Sequence, residues 1–274
     1  MGRKKKKSFG IKVLIYFFKG LWFLFSGIFK LIWLFILYVY NKIKNRKKIE
    51  VKKEGKGEVK IKPQYEKFDE VKILNGDFPS FESRIINSPS LIGIILGARG
   101  TGKSAIGMKL LENIKAKTNR SVCAMGFRKE NLPNWIHVVQ SIEEIPNGAL
   151  ILIDEAGIQF SSRKSMTGSN KILSDLLLIA RHKDLSVLFI SQNSSNLEIN
   201  AIRQTDFLIL KPSSLLQKDF ERGKIKDIYI EAEDHFKELK DIVGLTYIYS
   251  DQFRGFVKNP LPSFWNKDVS KAFR

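Results

Sequence analysis

Two short stretches hold the residues that could do chemistry. The first, Gly97-Ala98-Arg99-Gly100-Thr101-Gly102-Lys103-Ser104, meets every fixed position of the phosphate-binding pattern G-x-x-x-x-G-K-[ST]. Gly97, Gly100 and Gly102 let the backbone take positive φ and turn its amides inward, a concave nest for phosphate oxygens. Lys103 then reaches the β- and γ-phosphates, and the Ser104 hydroxyl ligates Mg²⁺. Arg99, inside the loop, faces either phosphate or solvent. The second stretch is Asp154-Glu155, which closes the apolar run Leu150 to Ile153 and begins 51 residues beyond Lys103. In nucleotide hydrolases of this kind the first carboxylate holds Mg²⁺, usually through water, and the next polarises the water that attacks the γ-phosphorus. Asp154 is therefore assigned to the metal and Glu155 to the attacking water, with ATP and Mg²⁺ as the expected ligands.

Three weaker candidates accompany them. Leu185 to Gln192, LSVLFISQ, reads as a buried strand ending in a polar residue. If it lies beside the strand before the phosphate loop, Gln192 reaches the γ-phosphate or the attacking water; otherwise it is an amide capping a strand end. Arg181 is either a charge-stabilising finger, acting in its own subunit or across an interface, or a solvated cation at a helix C-terminus. His182 has no partner at metal-ligand spacing and reads as structural. Arg163-Lys164, in the polar segment Ser161 to Asn170, either touch DNA phosphates or belong to a solvated loop.

The elements that must position these residues follow from hydrophobic patterning. Strand-type runs fall at 91–96, 121–125, 149–153, 186–191 and 206–210, separated by helical patterns at 103–117, 169–182 and 195–203. Near-continuous apolar strands alternating with helices imply an α/β fold, a mainly parallel sheet covered on both faces, with ligands outside the carboxyl ends of its strands. Beyond Lys211 a charged helical region runs to about Val243, followed by a hairpin over Thr246 to Val257 turning near Asp251-Gln252. Pro260 and Pro262 end the sheet material, and Phe264-Trp265 pack the tail onto the body.

Composition separates the N-terminal arm from this body. The 274 residues carry a net charge of +19, yet residues 1 to 62 hold 18 Lys/Arg against 3 acids, leaving 29 against 25 for the rest. The excess therefore says little about the surface of the nucleotide-binding domain. Residues 1–41 comprise a basic start and a strongly apolar, aromatic stretch from Ile11 to Tyr40, 42–62 form a charged linker, and 63–274 form the catalytic domain, with its core at 85–212 and a C-terminal part at 213–274. Lys12, Lys19 and Lys30 interrupt the apolar stretch, so its longest uncharged runs are 20–29 and 31–41. Both fall short of the roughly 20 residues of a membrane span. On a helix, Lys12, Lys19, Ser26, Lys30 and Asn41 share a sector of about 60°. The stretch thus suits an N-terminal membrane-anchor helix that either spans the bilayer or lies in its interface, with residues 3–53 on anionic lipid and the catalytic domain in the cytoplasm; the alternative is a buried helix of a soluble protein, since Phe and Trp point in nearly every direction. A single cysteine, Cys123, excludes an internal disulfide and reads as a small buried hydrophobe. A GTPase switch is disfavoured, because no N-K-x-D base-reading motif follows the fourth strand.

Taken together, GARGTGKS, ILIDEAG, the Arg181-His182 pair before a strand and Ser191-Gln192 at its end resemble the HerA–FtsK superfamily of P-loop ATPases. Its viral genome-packaging and zonula occludens toxin-like branches are the nearest in pattern, over about residues 85 to 212. The resemblance implies a P-loop fold of the additional-strand catalytic-glutamate type, assembly into a homo-oligomeric ring, usually a hexamer, and ATP-driven movement of cargo through a pore. The first expectation is a membrane-associated ATPase translocating double-stranded DNA. The second is a virion assembly or export ATPase with protein cargo, working with capsid or membrane assembly proteins. A third is a nucleotide-binding scaffold without turnover, against which Glu155 speaks.

Overall fold

The apolar runs of the sequence become the middle of a nine-stranded sheet. A computed structural model of the chain describes residues 61–155, 168–197 and 199–266 together with positions 16–19, 22, 33–38 and 269. The chain divides into two units, Met1–Val59 and Lys60–Arg274. In the second unit the elements are β1 (Asp69–Gly76), α1 (Phe78–Asn87), β2 (Ile92–Leu96), α2 (Lys103–Lys117), β3 (Val122–Met125), β4 (Ile136–Val138), β5 (Leu150–Asp154), α3 (Gly168–Ala180), β6 (Ser186–Ile190), α4 (Ile199–Arg203), β7 (Phe207–Leu210), α5 (Leu215–Asp219), α6 (Gly223–Glu238), β8 (Leu245–Ser250) and β9 (Phe253–Lys258).

The strand order is β1-β9-β8-β7-β2-β6-β5-β3-β4. From β7 to β4 neighbouring strands run parallel. The β8–β9 hairpin and β1 extend this sheet antiparallel on the β7 side. Every residue of β2, β3, β5, β6 and β7 is buried, as sheets covered on both faces require. Alternation along each strand then divides the core in two. Ile94, Ile151, Val187 and Leu208 pack with Leu176, Ala201 and Ile228 of α3, α4 and α6. Ile95, Leu152, Leu188 and Ile209 pack on the other face with Phe81 of α1 and with Ile106 and Leu111 of α2. The decisive feature is β6, which lies between β2 and β5 and pairs with both. This is the additional strand separating the phosphate-loop strand from the acid-bearing strand.

Three elements had no counterpart in the sequence reading. β1 is an edge strand with exposed or half-buried residues throughout, held by antiparallel pairing to β9 rather than by burial. α1 begins at a cap: Asp77 accepts from the Ser80 amide at 2.8 Å, with a proline in the first turn. β4 has only three residues. The segment before β1 and the tail after β9 are both pinned to the back of α2. Glu112, fully buried, accepts from the Gln64 amide at 3.2 Å and the Ser263 amide at 3.0 Å and pairs with Lys109 at 3.0 Å. Phe264 is buried and meets Trp135 edge-on at 5.5 Å, which secures the tail as its aromatic pair predicted.

In the first unit the described positions 16–19, 22 and 33–38 are helical, and Tyr16, Phe17, Phe18, Trp22 and Trp33 are exposed. Among the described residues no helix is long and apolar enough to cross a membrane, so the spanning form of the predicted anchor finds no support. The remainder of the anchor over 11–41, the linker from 42 to 60, and Arg163-Lys164 lie outside the described residues.

Candidate active site

β2 stops at Leu96, and the chain turns through Gly97 (φ 146°), Gly100 (φ 82°) and Gly102 (φ 92°) before α2 begins at Lys103. At Gly97 space decides as well as angle, since an added Cβ would sit 2.6 Å from the Lys211 Cβ. The loop is braced: the Ala98 amide donates to the Pro212 carbonyl at 3.0 Å, and the Thr101 hydroxyl to the Ala98 carbonyl at 2.7 Å. Arg99 is exposed. Gly102 caps α2 without a side-chain bond, so no side chain competes for the amides of the first turn, the arrangement that receives anions at helix N-termini.

Lys103 is buried and donates to the carbonyls of Gly97 at 2.7 Å and Ala98 at 2.9 Å. Burial lowers its ammonium to about 8, and the nearby Asp154 carboxylate opposes that shift. Ser104 Oγ donates to Asp154 Oδ2 at 3.1 Å, joining the two predicted metal-side residues. A hydroxyl beside a buried carboxylate is a pair of hard oxygen donors, which suits Mg²⁺, an ion that keeps several waters and draws other ligands from phosphate. Among the described residues no group of three or more His, Cys, Asp or Glu could hold a metal.

Register explains why these residues meet. Asp154 lies opposite Ile190, and Ile190 opposite Ile95, so the row beyond them contains Glu155, Ser191 and Leu96. Ser191 continues β6, its amide donating to the Ile95 carbonyl at 3.0 Å. Its hydroxyl donates to Glu155 Oε2 at 2.5 Å, with both residues buried. Gln192 follows on the same sheet edge as the phosphate loop; its residue is exposed, and its carbonyl accepts from the Gln217 side chain.

Arg181 stands elsewhere. It is exposed in the turn between α3 and the start of β6, whereas Ser191 follows the end of that strand. Five residues of strand, about 16 Å, separate the two edges of the sheet. This corrects the option of a finger acting within its own subunit: a parallel sheet keeps the start of β6 away from the loop after β2. His182, beside it, is also exposed. Cys123 is buried in β3, where burial pushes its thiol up to about 11, as a core residue rather than a nucleophile.

Two residues near the site escaped sequence reasoning. The sequence offers Ser191 no role of its own beyond the Ser191-Gln192 strand ending; its visible signal is a small hydroxyl one position before the polar end of an apolar run. Lys211 is 1% exposed, with Nζ donating to the carbonyls of Gly244 and Leu245, each at 3.1 Å, and to Asn259 Oδ1 at 2.7 Å. Burial lowers it to about 7. Its stem packs behind Gly97, and its partners come from the distant β8–β9 hairpin, which no local pattern announces.

No family model and no curated protein matches the sequence. Solved structures do match it. The DNA-packaging ATPase of Sulfolobus turreted icosahedral virus is 17% identical over 62% of this chain and 97% of its own, with a TM-score of 0.43. A conjugation coupling protein determined with ATPγS is 12% identical over 67% of this chain and 62% of its own, with a TM-score of 0.43. The N-terminal domain of zonular occludens toxin from Neisseria meningitidis is 13% identical over 68% of this chain and 99% of its own, with a TM-score of 0.37. Overlaps this loose carry no argument by themselves, and the architecture rests on the strand order and on the phosphate loop, acid pair and additional strand already described.

Proposed function

We propose that the protein is an ATP hydrolase that uses turnover to move double-stranded DNA, working as a ring attached to a membrane. The observation that carries the hydrolase reading is Ser104 Oγ at 3.1 Å from Asp154 Oδ2 with the buried Glu155 next in the chain, all beside a glycine loop at a helix start. In this reading the loop amides hold the β- and γ-phosphates, and Lys103 exchanges its carbonyl partners for phosphate oxygens. Ser104 and Asp154 would hold Mg²⁺, which when bound neutralises charge on the transferring phosphoryl group. Glu155 orients the attacking water and accepts its proton.

DNA as cargo is what the resemblance of GARGTGKS, ILIDEAG, Arg181-His182 and Ser191-Gln192 to the HerA–FtsK superfamily implies. The position of Arg181, remote from its own loop, favours a ring in which it stabilises charge in a neighbouring subunit's site. Attachment to anionic lipid is supported by the basic residues between 3 and 53 and the exposed aromatics Tyr16, Trp22 and Trp33. The test is phosphate release by the full chain with and without duplex DNA. The expected result is stimulation that falls steeply as salt rises. Stimulation by a capsid or membrane protein but not by DNA moves the cargo to protein, and absence of hydrolysis under every condition removes the reading.

A further inference from the structure

Ser191 has one proton and two acceptors for it. Its hydroxyl lies 2.5 Å from Glu155 Oε2 and 2.9 Å from the Asn193 carbonyl, and it accepts from the Asn193 amide at 3.3 Å. A hydroxyl donates to one partner at a time, so the carboxylate and the carbonyl compete, and the shorter bond goes to the charged group. Ser191 is 1% exposed and Glu155 7%, so water does not replace this contact cheaply.

The competing acceptor belongs to a loop that is itself gripped. The Asn193 side chain donates to the Gln217 carbonyl at 3.3 Å, and the Gln217 side chain donates back to the Gln192 carbonyl, which clamps the loop to α5. One residue on, the Ser194 amide donates to Glu221 Oε2 at 2.7 Å and the Arg222 amide donates to Ser194 Oγ at 3.0 Å. The Arg222 guanidinium further holds the carbonyls of Ser194 at 3.1 Å and Leu197 at 2.5 Å. The junction of α5 and α6 therefore fixes the backbone that offers the rival carbonyl.

We infer that Ser191 is a positioning residue for hydrolysis: its hydroxyl orients the Glu155 carboxylate, and it ties that orientation to the loop held by α5 and α6. The inference rests on the hydrolase reading of Glu155. Ser191 touches no phosphate in this role and acts through the carboxylate alone. Without the hydroxyl, Glu155 keeps its chemistry and loses one contact that orients its carboxylate, so the chemical step slows while ATP binding persists.

The test is steady-state and single-turnover ATP hydrolysis by the full chain as wild type, S191A, S191T, E155Q and the double variant E155Q/S191A, with thermal melting of each. S191A is expected to lower kcat about tenfold with KM for ATP within about twofold of wild type, because one charge-assisted hydrogen bond is lost. S191T, which keeps the hydroxyl, is expected to recover most of the rate. In the E155Q background S191A is expected to add less than about twofold, since the pair acts as one unit. S191A turning over at the wild-type rate, or raising KM tenfold with kcat unchanged, overturns the inference. So does a double variant that falls below E155Q by the same factor as S191A falls below wild type, which marks an independent structural effect. A folded wild type that binds ATP without ever hydrolysing it removes instead the reading on which the inference stands.

Discussion

Exchanging Glu155 for glutamine preserves size and removes basicity, so E155Q is expected to bind ATP as wild type does while turnover falls at least about a hundredfold. Nucleotide binding measured beside phosphate release separates the two effects. Behind the loop, Lys211 makes a different kind of prediction. K211M fills a similar volume but leaves the acceptors Gly244 O, Leu245 O and Asn259 Oδ1 without their donor, an expected loss of about 3 kcal/mol in denaturant unfolding. Burial holds the Lys211 ammonium at about 7 against an ordinary 10.5, so between those values the unfolded chain binds the extra proton. Its contribution to stability is present above about 10.5 and is lost as pH falls through about 7. The gap between wild type and K211M should widen as pH rises across that window, and a gap that stays constant would show that the ammonium keeps its charge there. The places of Lys103 at a helix start and of Asp154 at a strand end were legible because both follow from local order. Lys211 was not, because its three acceptors arrive from residues 244, 245 and 259.

α2 does more than start the phosphate site. Its buried Lys109–Glu112 pair receives the segment before β1 on one side and the tail after β9 on the other. Replacing Glu112 by alanine leaves Lys109, 1% exposed, with only Glu66 at 3.5 Å and the Gln64 carbonyl at 3.3 Å, and takes the acceptor from the Gln64 and Ser263 amides while Asn113 still holds Glu66, with an expected destabilisation of about 3 kcal/mol. Thermal unfolding of chains cut at different starts checks the same clamp. A chain beginning at Lys60 keeps Gln64 and Glu66 and should melt as the Lys60–Arg274 unit does in the full chain, whereas one beginning at Phe68 should melt lower. α2 and β5 were readable in sequence because burial on both faces or along a helix writes a long apolar pattern. β1 and β4 were not readable: the first is stabilised by pairing with β9, the second is too short to show a period. For α1 a signal existed in Asp77 and the proline that follows it.

At the scale of the assembly, Arg181 supplies the sharpest test. If it completes a neighbour's site, R181A and E155Q subunits should each be nearly inactive alone and regain turnover when mixed, since some interfaces then join an intact Glu155 to an intact Arg181. No gain on mixing would return Arg181 to a solvated helix end. For the N-terminal unit, vesicles rich in anionic lipid should carry the full chain upward in flotation, and a chain beginning at Lys60 should stay behind.

By itself the order of residues determined the phosphate loop, the acid pair and the apolar strands, because glycine angles, a lysine–serine step and continuous burial are all properties of neighbours in the chain. Only the tertiary structure decided that β6 enters between β2 and β5, that Ser191 thereby meets Glu155, and that Arg181 ends on the far side of the sheet. The physical reason is register: pairing between strands sets which distant residues share a row, and nothing within a single strand encodes its neighbour.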